Sequence, residues 1–567
     1  MDASLRTVAI TLAVLYVLFK CASFIRNYTI ARRSGFPVYI SPVLSKSVAW
    51  LILGPTFQLQ FEKYLPEWVY HRLDFTISGW EVRWRAKMHH RPGKTFVVVT
   101  PDECSLWVGD PALGTTILQR RKDFLQPPIV GQFLGLFGSN LAQVSIGMSA
   151  YASEIPMLIP SVFKSNGEDW QRQRRIIAPN LNENIMESVW DETCRQSQSM
   201  LEFLVKNPGG QTLGGLRSIA INVLGQAGLG HNQPWSPDFV QSLGTNWEGA
   251  RIAYFKTIAR VTDRFIEAVL VPSWLKKMPF MSESMQLLGR EMERVPDYLK
   301  EILSEERKKA ASGNAKPHNN LLDLLVHFSS SENKSGLSLS EDEIGGNLWV
   351  FTAAGFDTAA TAMGYAVILL TVYPKWQDWV NEELQQIDLN GKYTEVFPRC
   401  QRTLALLMET MRLFSPSIHT TRTVNEPQQV ADTTGTHLLL PSFDIYISAQ
   451  SIHNDRDIWG DDVQEFNPAR WLDDAGQVIT PAKGTYLPWS GGPRICPGMK
   501  MAQVEFVAVF ATVFRHARCE PLQLDQETQE ESRARFLDAM DKSVPKLTLQ
   551  VKDPDKIQLR WIRNEAS

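Results

Sequence analysis

One stretch decides the fold: Trp489-Ser490-Gly491-Gly492-Pro493-Arg494-Ile495-Cys496-Pro497-Gly498. Glycine permits close backbone approach and unusual φ angles, and proline stiffens a turn. A helical pattern follows from Met499 to about Arg515, so Cys496 lies just before a helix N-terminus. At that position the helix dipole favours a thiolate, and backbone N–H groups can donate to the sulfur. The stretch therefore predicts an anionic sulfur ligand for a metal; the alternative is a structural cysteine in a turn.

The composition excludes several classes of protein. The chain has 567 residues, 44% of them apolar and 21% charged, as expected for a globular protein and not for a disordered one. Its net charge of −3 argues against general nucleic-acid binding, which needs a basic surface. The six cysteines, at positions 21, 104, 194, 400, 496 and 519, have neither CxxC nor zinc-ribbon spacing. A chain this long and this poor in cysteine is not held by a disulfide framework, so we expect a reducing compartment.

Helical periodicity dominates from about residue 166 to 413, whereas strand-like runs are short. The β-branched runs are Thr95–Thr100, Ile445–Ser448 and Leu547–Val551. No internal repeat or long linker divides the chain, and the polar stretches 308–320 and 329–338 are typical of surface loops. The pattern predicts a single large domain, mainly α with small β-sheets.

The N-terminus carries a candidate membrane helix. The segment from Leu5 to Ile25 reaches the length needed to cross a bilayer, with Arg6 and Lys20 near its ends. Most of the basic residues follow the span, which by the positive-inside rule leaves the rest of the chain in the cytosol. We therefore expect residues 1–33 to be a single-pass anchor with a basic flank, and residues 34–567 to be the cytosolic domain. The alternative is a cleaved signal peptide, but no small-residue cleavage site precedes the basic cluster.

The cysteine stretch resembles the haem-ligand signature of the cytochrome P450 family, Phe-x-x-Gly-x-Arg-x-Cys-x-Gly. Gly492, Arg494, Cys496 and Gly498 match it, and Trp489 replaces the usual Phe. The resemblance implies the cytochrome P450 fold and a haem b whose iron is ligated by Cys496, with Trp489 and Gly498 packed near the haem.

Two charged residues on one helical stretch, Glu409 and Arg412, lie on the same face at spacing i,i+3. The alternative is an ordinary surface ion pair, but the flanking apolar residues favour a more buried setting; these are Leu406, Leu407, Leu413 and Phe414. The segment Phe466-Asn-Pro-Ala-Arg470 resembles the family's Phe-x-Pro-x-Arg motif, which implies that Arg470 joins them in a buried triad that supports the fold.

A helix is predicted from 340 to 372, because Ser340 and Glu343 form a capping box and Pro374 follows its end. At about 1.5 Å per residue it would be roughly 50 Å long, enough to cross the whole domain. Its centre, Ala354-Gly-Phe-Asp357-Thr358, resembles the family's oxygen-side signature. The Thr358 hydroxyl can bond back to the carbonyl of Ala354 and bend the helix. The resemblance implies that Gly355 leaves room for haem and O₂, and that Asp357 and Thr358 order water and deliver protons. The alternative is close packing of small residues between helices.

The segment from Trp170 to Arg174 resembles the family's Trp-x-x-x-Arg helix, whose two donors share one face at spacing i,i+4. The resemblance implies that these two residues bind the haem propionates together with Arg494 and Arg422. The alternative for each arginine is an ordinary surface charge.

The family resemblance implies a monooxygenase that is anchored in the endoplasmic reticulum and hydroxylates or epoxidises an apolar small molecule. The local sequence resembles that of fungal members, and we therefore expect a role in secondary metabolism. Electrons would come from NADPH through cytochrome P450 reductase, with cytochrome b5 as an optional second donor. The expected substrate-pocket residues are Ala353, Phe356, Ser417, Ile418, His419 and Thr420. Two alternatives stay open: a haem-thiolate isomerase or dehydratase that needs no reductase, and a non-catalytic haem sensor or electron carrier. The substrate itself is not determined by the sequence.

One segment is longer than the family pattern. Residues 141–161 lie between Lys122-Asp-Phe124 and Trp170, where the family carries a short lid. Two interpretations compete: a genuine lid insertion, and a retained intron translated in frame.

Overall fold

The computed structural model describes residues 3–85, 93–127, 135–141, 168–237, 249–311, 320–329, 338–441, 443–524 and 526–564. The fold is mainly α with small β-sheets, as predicted. Of the segment 141–161, only Leu141 is among the described residues, so the two interpretations of that segment are not distinguished.

The helices of the N-terminal half precede and surround the first part of the sheet. In chain order they are α1 (Ala3–Ser34), α2 (Val48–Tyr64), α3 (Glu67–Asp74), α4 (Trp80–Trp84), α5 (Pro111–Gln119), α6 (Glu168–Ile177), α7 (Glu183–Lys206), α8 (Thr212–Leu229), α9 (Ala250–Asp263), α10 (Phe265–Leu270), α11 (Ser273–Lys276) and α12 (Glu283–Ala311).

The helices of the C-terminal half include the longest buried one. They are α13 (Leu321–His327), α14 (Glu341–Val372), α15 (Lys375–Gln385), α16 (Tyr393–Val396), α17 (Gln401–Leu413), α18 (Ala449–His453), α19 (Arg456–Trp459), α20 (Met499–His516) and α21 (Gln529–Asp541).

The strands are short and form one mixed sheet and three pairs within the described residues. They are β1 (Val38–Ile40), β2 (Thr95–Val99), β3 (Cys104–Val108), β4 (Phe124–Leu125), β5 (His419–Val424), β6 (Gln428–Asp432), β7 (Gly435–Leu439), β8 (Phe443–Ser448), β9 (Ala517–Pro521), β10 (Val544–Pro545), β11 (Leu549–Gln550) and β12 (Leu559–Arg563).

The six-stranded sheet has the order β1-β2-β3-β8-β5-β4. The pairs β1/β2 and β3/β8 are parallel, and the other neighbours are antiparallel. In the register of β3 and β8, Leu106 lies opposite Ile445, and in that of β5 and β8, Arg422 lies opposite Ile445. The sheet therefore brings the first third of the chain against the segment that follows α17.

Helix α14 forms the axis of the domain. Its N-cap Ser340 accepts from the Glu343 amide, and the Glu343 carboxylate accepts from the Ser340 amide, which confirms the predicted capping box. With 32 residues the helix is about 48 Å long at about 1.5 Å per residue. It packs against α8, while α20 packs against α7, so the core lies between these helices.

Two helices are long and apolar enough to cross a membrane, among the residues that the structure describes. One is α14, which is mostly buried inside the protein and is therefore a core helix. The other is the segment Ile10–Ser34 of α1, whose most apolar stretch is almost wholly exposed. The end of α1 does pack on the domain: Ala31 is buried, and the Asn27 side-chain amide donates to the Thr100 carbonyl at 3.1 Å. The predicted anchor is thus a helix whose first part projects from the domain.

Candidate cofactor and active site

A central cavity with about 1550 Å³ of empty space, part of it open to solvent, lies between α6, α14, the cysteine loop and α20. Its walls are mostly apolar side chains such as Leu224, Val350 and Phe351. Ten of the residues predicted for the site line it: Trp170, Arg174, Ala354, Gly355, Thr358, Ser417, Trp489, Arg494, Cys496 and Gly498.

The cysteine loop takes a conformation that requires glycine. Gly492 has φ = +67°, and a Cβ there would lie 2.6 Å from the carbonyl oxygen of Leu118 in α5. After a short 3₁₀ turn over Gly492–Arg494, the Cys496 amide donates to the Trp489 carbonyl at 3.0 Å. Helix α20 then begins at Met499 with Gly498 as N-cap, as predicted. The loop thus holds the Cys496 side chain at the cavity wall.

Burial governs the state of the cysteine. It raises the pKa of the Cys496 thiol above its ordinary value, while the Gly498 amide and the Arg174 guanidinium act in the opposite direction. Burial is the largest of these influences, because a charge is costly to remove from water. A thiolate at this place needs a cation beside it, which is what a metal ion supplies.

Three arginines surround the indole of Trp170 in α6. The guanidinium carbon of Arg494 lies 4.5 Å from the ring centroid, that of Arg121 5.2 Å and that of Arg174 5.9 Å. Arg174 also donates to the Ile495 carbonyl at 3.0 Å, next to the cysteine. Burial, followed by the charges of Arg121 and Arg174, lowers the pKa of Arg494 to about 10. The cluster thus concentrates positive charge at one edge of the cavity.

Arg422 extends this positive cluster from β5, although it is not among the cavity-lining residues. Its side chain is fully buried, and only Nη1 has a hydrogen-bond acceptor, the carbonyl of Thr421 at 2.7 Å; Nε and Nη2 have none. Burial and the charge of Arg494 lower the pKa of Arg422 to about 9. No carboxylate in the described part of the chain pairs with Arg121, Arg174 or Arg422.

Buried cations without counter-ions are costly and call for an anionic ligand. A haem supplies both missing partners, since it has two carboxylates for the arginines and an iron for the buried sulfur. The donor set of the cavity therefore fits a haem bound through Cys496.

Helix α14 presents one face to the cavity. The Thr358 hydroxyl donates to the Ala354 carbonyl at 2.6 Å, which is the predicted back-bond. Gly355 also lines the cavity, and a Cβ there would lie 2.8 Å from Leu224 of α8. Its missing side chain thus admits a neighbouring helix. Both features considered for this part of α14 are therefore present: Gly355 allows close helix packing, and the Thr358 hydroxyl bonds back to Ala354.

Asp357 points away from the cavity lining and is fully buried. Its carboxylate accepts from Thr548 Oγ1 at 2.7 Å and Gln550 Nε2 at 3.2 Å, and Arg217 Nη2 lies 3.6 Å away. Arg217 also bonds Asp263, whose side chain is partly exposed. Burial raises the pKa of Asp357, opposed by Arg217 and Thr548. The acid next to Thr358 is thus connected through one arginine to the protein surface.

Several expected pocket residues do not line the central cavity. These are Ala353, Phe356, Ile418, His419 and Thr420. Ala353 and Phe356 are buried on other faces of α14, since successive residues of a helix are turned by about 100°. Thr420 instead donates to Ser490 Oγ at 3.2 Å.

His419 lines a second, smaller pocket beside the sheet. Its Nδ1 lies 2.7 Å from the Glu81 carboxylate, which also accepts from Ser448 Oγ at 2.6 Å. The ring packs edge-on against Trp107 and Tyr446. This residue therefore ties α4 to the sheet.

The expected triad is present behind the cysteine loop. The Glu409 carboxylate accepts two bonds from Arg412, each of 2.8 Å, and one from Arg470 Nε at 3.1 Å. Two further donors are Trp471 Nε1 at 2.9 Å and the Asn467 amide at 3.0 Å. The Glu409 and Arg412 side chains are completely buried, so this is not a surface ion pair.

Two residues near the site were missed by the sequence analysis. Arg121 precedes β4 in a stretch rich in basic residues, and nothing in the sequence marks it as a partner of Trp170. Glu505 in α20 lines the cavity; it is buried, and its Oε1 has no hydrogen-bond partner. Burial raises the pKa of Glu505 to about 8. A lone glutamate in an otherwise apolar stretch of a helix is the signal that could have found it.

Comparison with known proteins gives a consistent result. Residues 148–544 match the model of the family described as Cytochrome P450. The chain is 29% identical to the phomenoic acid biosynthesis cluster cytochrome P450 monooxygenase of Leptosphaeria maculans, over 94% of this chain and 95% of that protein. It is 25% identical to cytochrome P450 monooxygenase prx9 of Penicillium rubens over 89% of each chain. A third relative, cytochrome P450 monooxygenase 124 of Postia placenta, is 26% identical over 67% of this chain and 73% of its own.

Proposed function

The chain belongs to the cytochrome P450 family, and we propose that it is a haem-thiolate monooxygenase that inserts one oxygen atom of O₂ into an apolar small molecule by hydroxylation or epoxidation. The observation that carries the proposal is that one cavity is lined by a buried cysteine and by Arg174 and Arg494, with Arg422 buried close to Arg494 and its Nε and Nη2 without an acceptor among the described residues.

The residues that would hold a haem b have separate tasks. Cys496 provides the iron ligand, and Arg494, Arg174 and Trp170 provide donors for the propionates. Arg422 adds a buried positive charge that the propionates would neutralise. When bound, the haem activates O₂ for transfer of one oxygen atom to the substrate, a chemistry that thiolate ligation favours.

On the distal wall, the chain's own task is to supply protons. Thr358 spends its hydroxyl proton on the Ala354 carbonyl, which leaves its oxygen lone pairs able to accept from a water in the cavity. Asp357 stands one residue earlier, and its contact with Arg217 links it to the partly exposed Asp263. We assign to this pair the ordering of water and the delivery of protons.

The lining supports an apolar substrate. Leu141, Leu181, Leu224, Phe351 and Met411 provide apolar contacts, and Ser417 and Asn347 are among the few polar groups. Such a wall binds by shape and by exclusion of water, with a few hydrogen bonds that fix orientation. The relative from Leptosphaeria maculans is named for the biosynthesis cluster of phomenoic acid, which supports a role in fungal secondary metabolism.

The exposed apolar part of α1 supports anchoring in the endoplasmic reticulum membrane, with residues 34–567 as a cytosolic catalytic domain. Electrons would then come from NADPH through membrane-bound cytochrome P450 reductase, with cytochrome b5 as a second donor.

Two measurements test the function. The reduced protein should give a thiolate-type Soret band with CO, and NADPH consumption with reductase should rise when a substrate is added. Product formation from a peroxide without reductase would instead indicate an isomerase or dehydratase. Haem binding without any substrate-dependent NADPH consumption across candidate compounds would indicate a sensor or an electron carrier.

A further inference from the structure

Four aromatic rings form a continuous line from the central cavity to the protein surface. Trp489 lines the cavity, and its carbonyl accepts from the Cys496 amide. The Trp489 ring centroid lies 6.0 Å from that of Tyr486. The Tyr486 ring lies 4.7 Å from Trp471, and the Trp471 ring lies 5.2 Å from Trp459 of α19. Trp459 is partly exposed to solvent, so the line ends at the surface. We call these four residues the aromatic chain.

The type of ring at the inner end separates the aromatic chain from ordinary core packing. Rings about 4.5–7 Å apart are common in protein cores and need no function. Position 489, however, carries Trp where the cysteine signature usually has Phe. An indole gives up one electron far more readily than a phenyl ring does. The chain therefore begins, beside the cysteine loop, with a ring that can be oxidised.

Neighbouring charges favour oxidation along this line over oxidation of Trp170, the other tryptophan that lines the cavity. Three guanidinium groups lie over the Trp170 ring, so removal of an electron would place a fourth positive charge among them. Trp471 has the opposite environment, because its Nε1 donates to the buried Glu409 carboxylate at 2.9 Å. A negative charge beside an indole stabilises the positive charge that oxidation creates. Trp471 is therefore the favoured station inside the chain.

Tyr486 connects the two inner tryptophans without being oxidised itself. Its hydroxyl donates to the Met408 carbonyl at 3.0 Å. A carbonyl is not a base that could take the phenol proton, and loss of an electron from a phenol requires loss of that proton. Tyr486 is therefore a bridge for electron tunnelling between Trp489 and Trp471.

Trp459 has the properties of an exit at the surface. Its Nε1 donates to the Ile452 carbonyl at 3.1 Å, and its partly exposed ring is accessible to small solutes. The Arg412 guanidinium lies 5.5 Å from the ring, but two hydrogen bonds to the Glu409 carboxylate match its charge. An oxidised Trp459 can thus release its indole proton to water and take an electron from a reductant in solution.

We propose that the aromatic chain conducts single electrons from the surface to the haem site, where they discharge oxidising power that no substrate has consumed. The electron donor is a water-soluble one-electron reductant of the ascorbate class. This inference rests on the proposed haem-thiolate function. With hydrogen peroxide as the oxidant, two electrons and two protons reduce one peroxide to two molecules of water. Two ascorbate molecules supply them, each giving one electron through Trp459 and releasing one proton to solvent.

The test uses the full-length, haem-loaded protein with hydrogen peroxide, without organic substrate, and with or without ascorbate. Peptide mass spectrometry measures oxidation at each tryptophan, electron paramagnetic resonance of freeze-quenched samples detects an indole radical, and the Soret band reports haem loss. Trp489→Phe restores the usual residue and interrupts the chain at its inner end, and Trp459→Phe removes its exit. Trp274→Phe is the matched control, since Trp274 of α11 is 59% exposed and lies outside the chain.

In the wild type, Trp459 should be oxidised more than Trp274, although Trp274 is the more exposed ring. Ascorbate should suppress this oxidation and the radical signal, and should slow the loss of haem. Trp489→Phe should lose both the oxidation at Trp459 and the protection by ascorbate. Trp459→Phe should keep a radical, at Trp471, but lose the protection, whereas Trp274→Phe should behave like the wild type.

Equal oxidation of Trp459 in the wild type and in Trp489→Phe would overturn the proposal. So would oxidation of Trp274 that equals or exceeds that of Trp459, because the oxidant would then attack from solution. The CO spectrum separates this inference from the proposed function. A wild type without the thiolate-type band would refute the haem-thiolate assignment, whereas a normal band in the wild type and in Trp489→Phe, without oxidation at Trp459, would refute the aromatic chain alone.

Discussion

The Thr358 hydroxyl donates a 2.6 Å hydrogen bond to the Ala354 carbonyl one turn earlier, and both residues line the central cavity. That carbonyl is therefore bonded by a side chain, and the hydroxyl oxygen is left to accept from water. Thr352 makes the same type of bond, 2.8 Å to the Leu348 carbonyl, on a face that does not line the cavity. The two threonines of this helix thus make the same bond but differ in their access to the cavity.

Thr358→Ala should lower product formed per NADPH by roughly 10-fold or more and raise peroxide release, because it removes the acceptor that positions a water for proton transfer, and positioned proton transfer is worth about 10²–10⁴ in rate. Haem content should not change. Thr352→Ala should leave the product formed per NADPH unchanged, since the Thr352 hydroxyl is buried away from the cavity. Equal coupling in the wild type and Thr358→Ala would assign this threonine to helix packing.

Cys496→Ser should abolish the thiolate-type Soret band of the reduced CO complex while the helical circular dichroism persists, because the loop is held by backbone bonds and by Gly492. Cys21→Ser, at an exposed cysteine, should leave the band in place. A normal band in the Cys496 variant would remove this residue as the iron ligand.

Arg422→Gln should have opposite effects with and without haem. In the haem-free chain the substitution removes a buried charge whose Nε and Nη2 have no acceptor, so the free energy of unfolding should be equal or higher. In the haem-loaded chain it removes charge-assisted interactions with propionates, each worth about 1.5–3 kcal/mol, so haem should dissociate faster. Haem transfer to apomyoglobin measures the rate. An unchanged rate of haem transfer would show that Arg422 does not bind the haem propionates. Arg402→Gln, on the surface beside Glu382, provides the comparison.

Glu409→Gln should lower the free energy of unfolding by about 3–5 kcal/mol and reduce haem retention, because Arg412 and Arg470 lose their shared buried carboxylate. Glu382→Gln removes the exposed partner of Arg402 and should cost less than about 1 kcal/mol. Denaturant titration of both variants gives the difference. Equal stability of the two would mean that the buried carboxylate does not hold the fold.

Glu505 should make the haem-free chain less stable as the pH rises. Burial raises its pKa to about 8 in the folded chain, whereas an unfolded glutamate titrates near its ordinary value of 4.5. Between these two pH values Glu505 keeps a proton in the folded chain that it has lost in the unfolded chain. The contribution of this proton to the free energy of unfolding is fully present below the lower pKa and is lost as the pH rises through the upper pKa. The slope should approach about −1.4 kcal/mol per pH unit, and Glu505→Gln should remove it. The same slope in the variant would assign it to another group.

Local motifs were readable from the sequence because their partners are one helical turn or one loop apart. The capping box of Ser340 and Glu343, the back-bond of Thr358, and the turn that presents Cys496 all depend on short-range geometry. The buried triad could be inferred from two segments only with the help of family resemblance, and Trp471 as its fourth member was missed.

The sequence by itself therefore determined the mainly α class, the cysteine loop and the family. Only the tertiary structure decided which face of α14 meets the cavity, that Gly355 accommodates Leu224, that Asp357 bonds Arg217 and Thr548, and that His419 bonds Glu81. Each of these contacts joins residues more than a hundred positions apart. Their pairing is set by how helices and sheet pack around a shared core, and no local spacing in the chain encodes that packing.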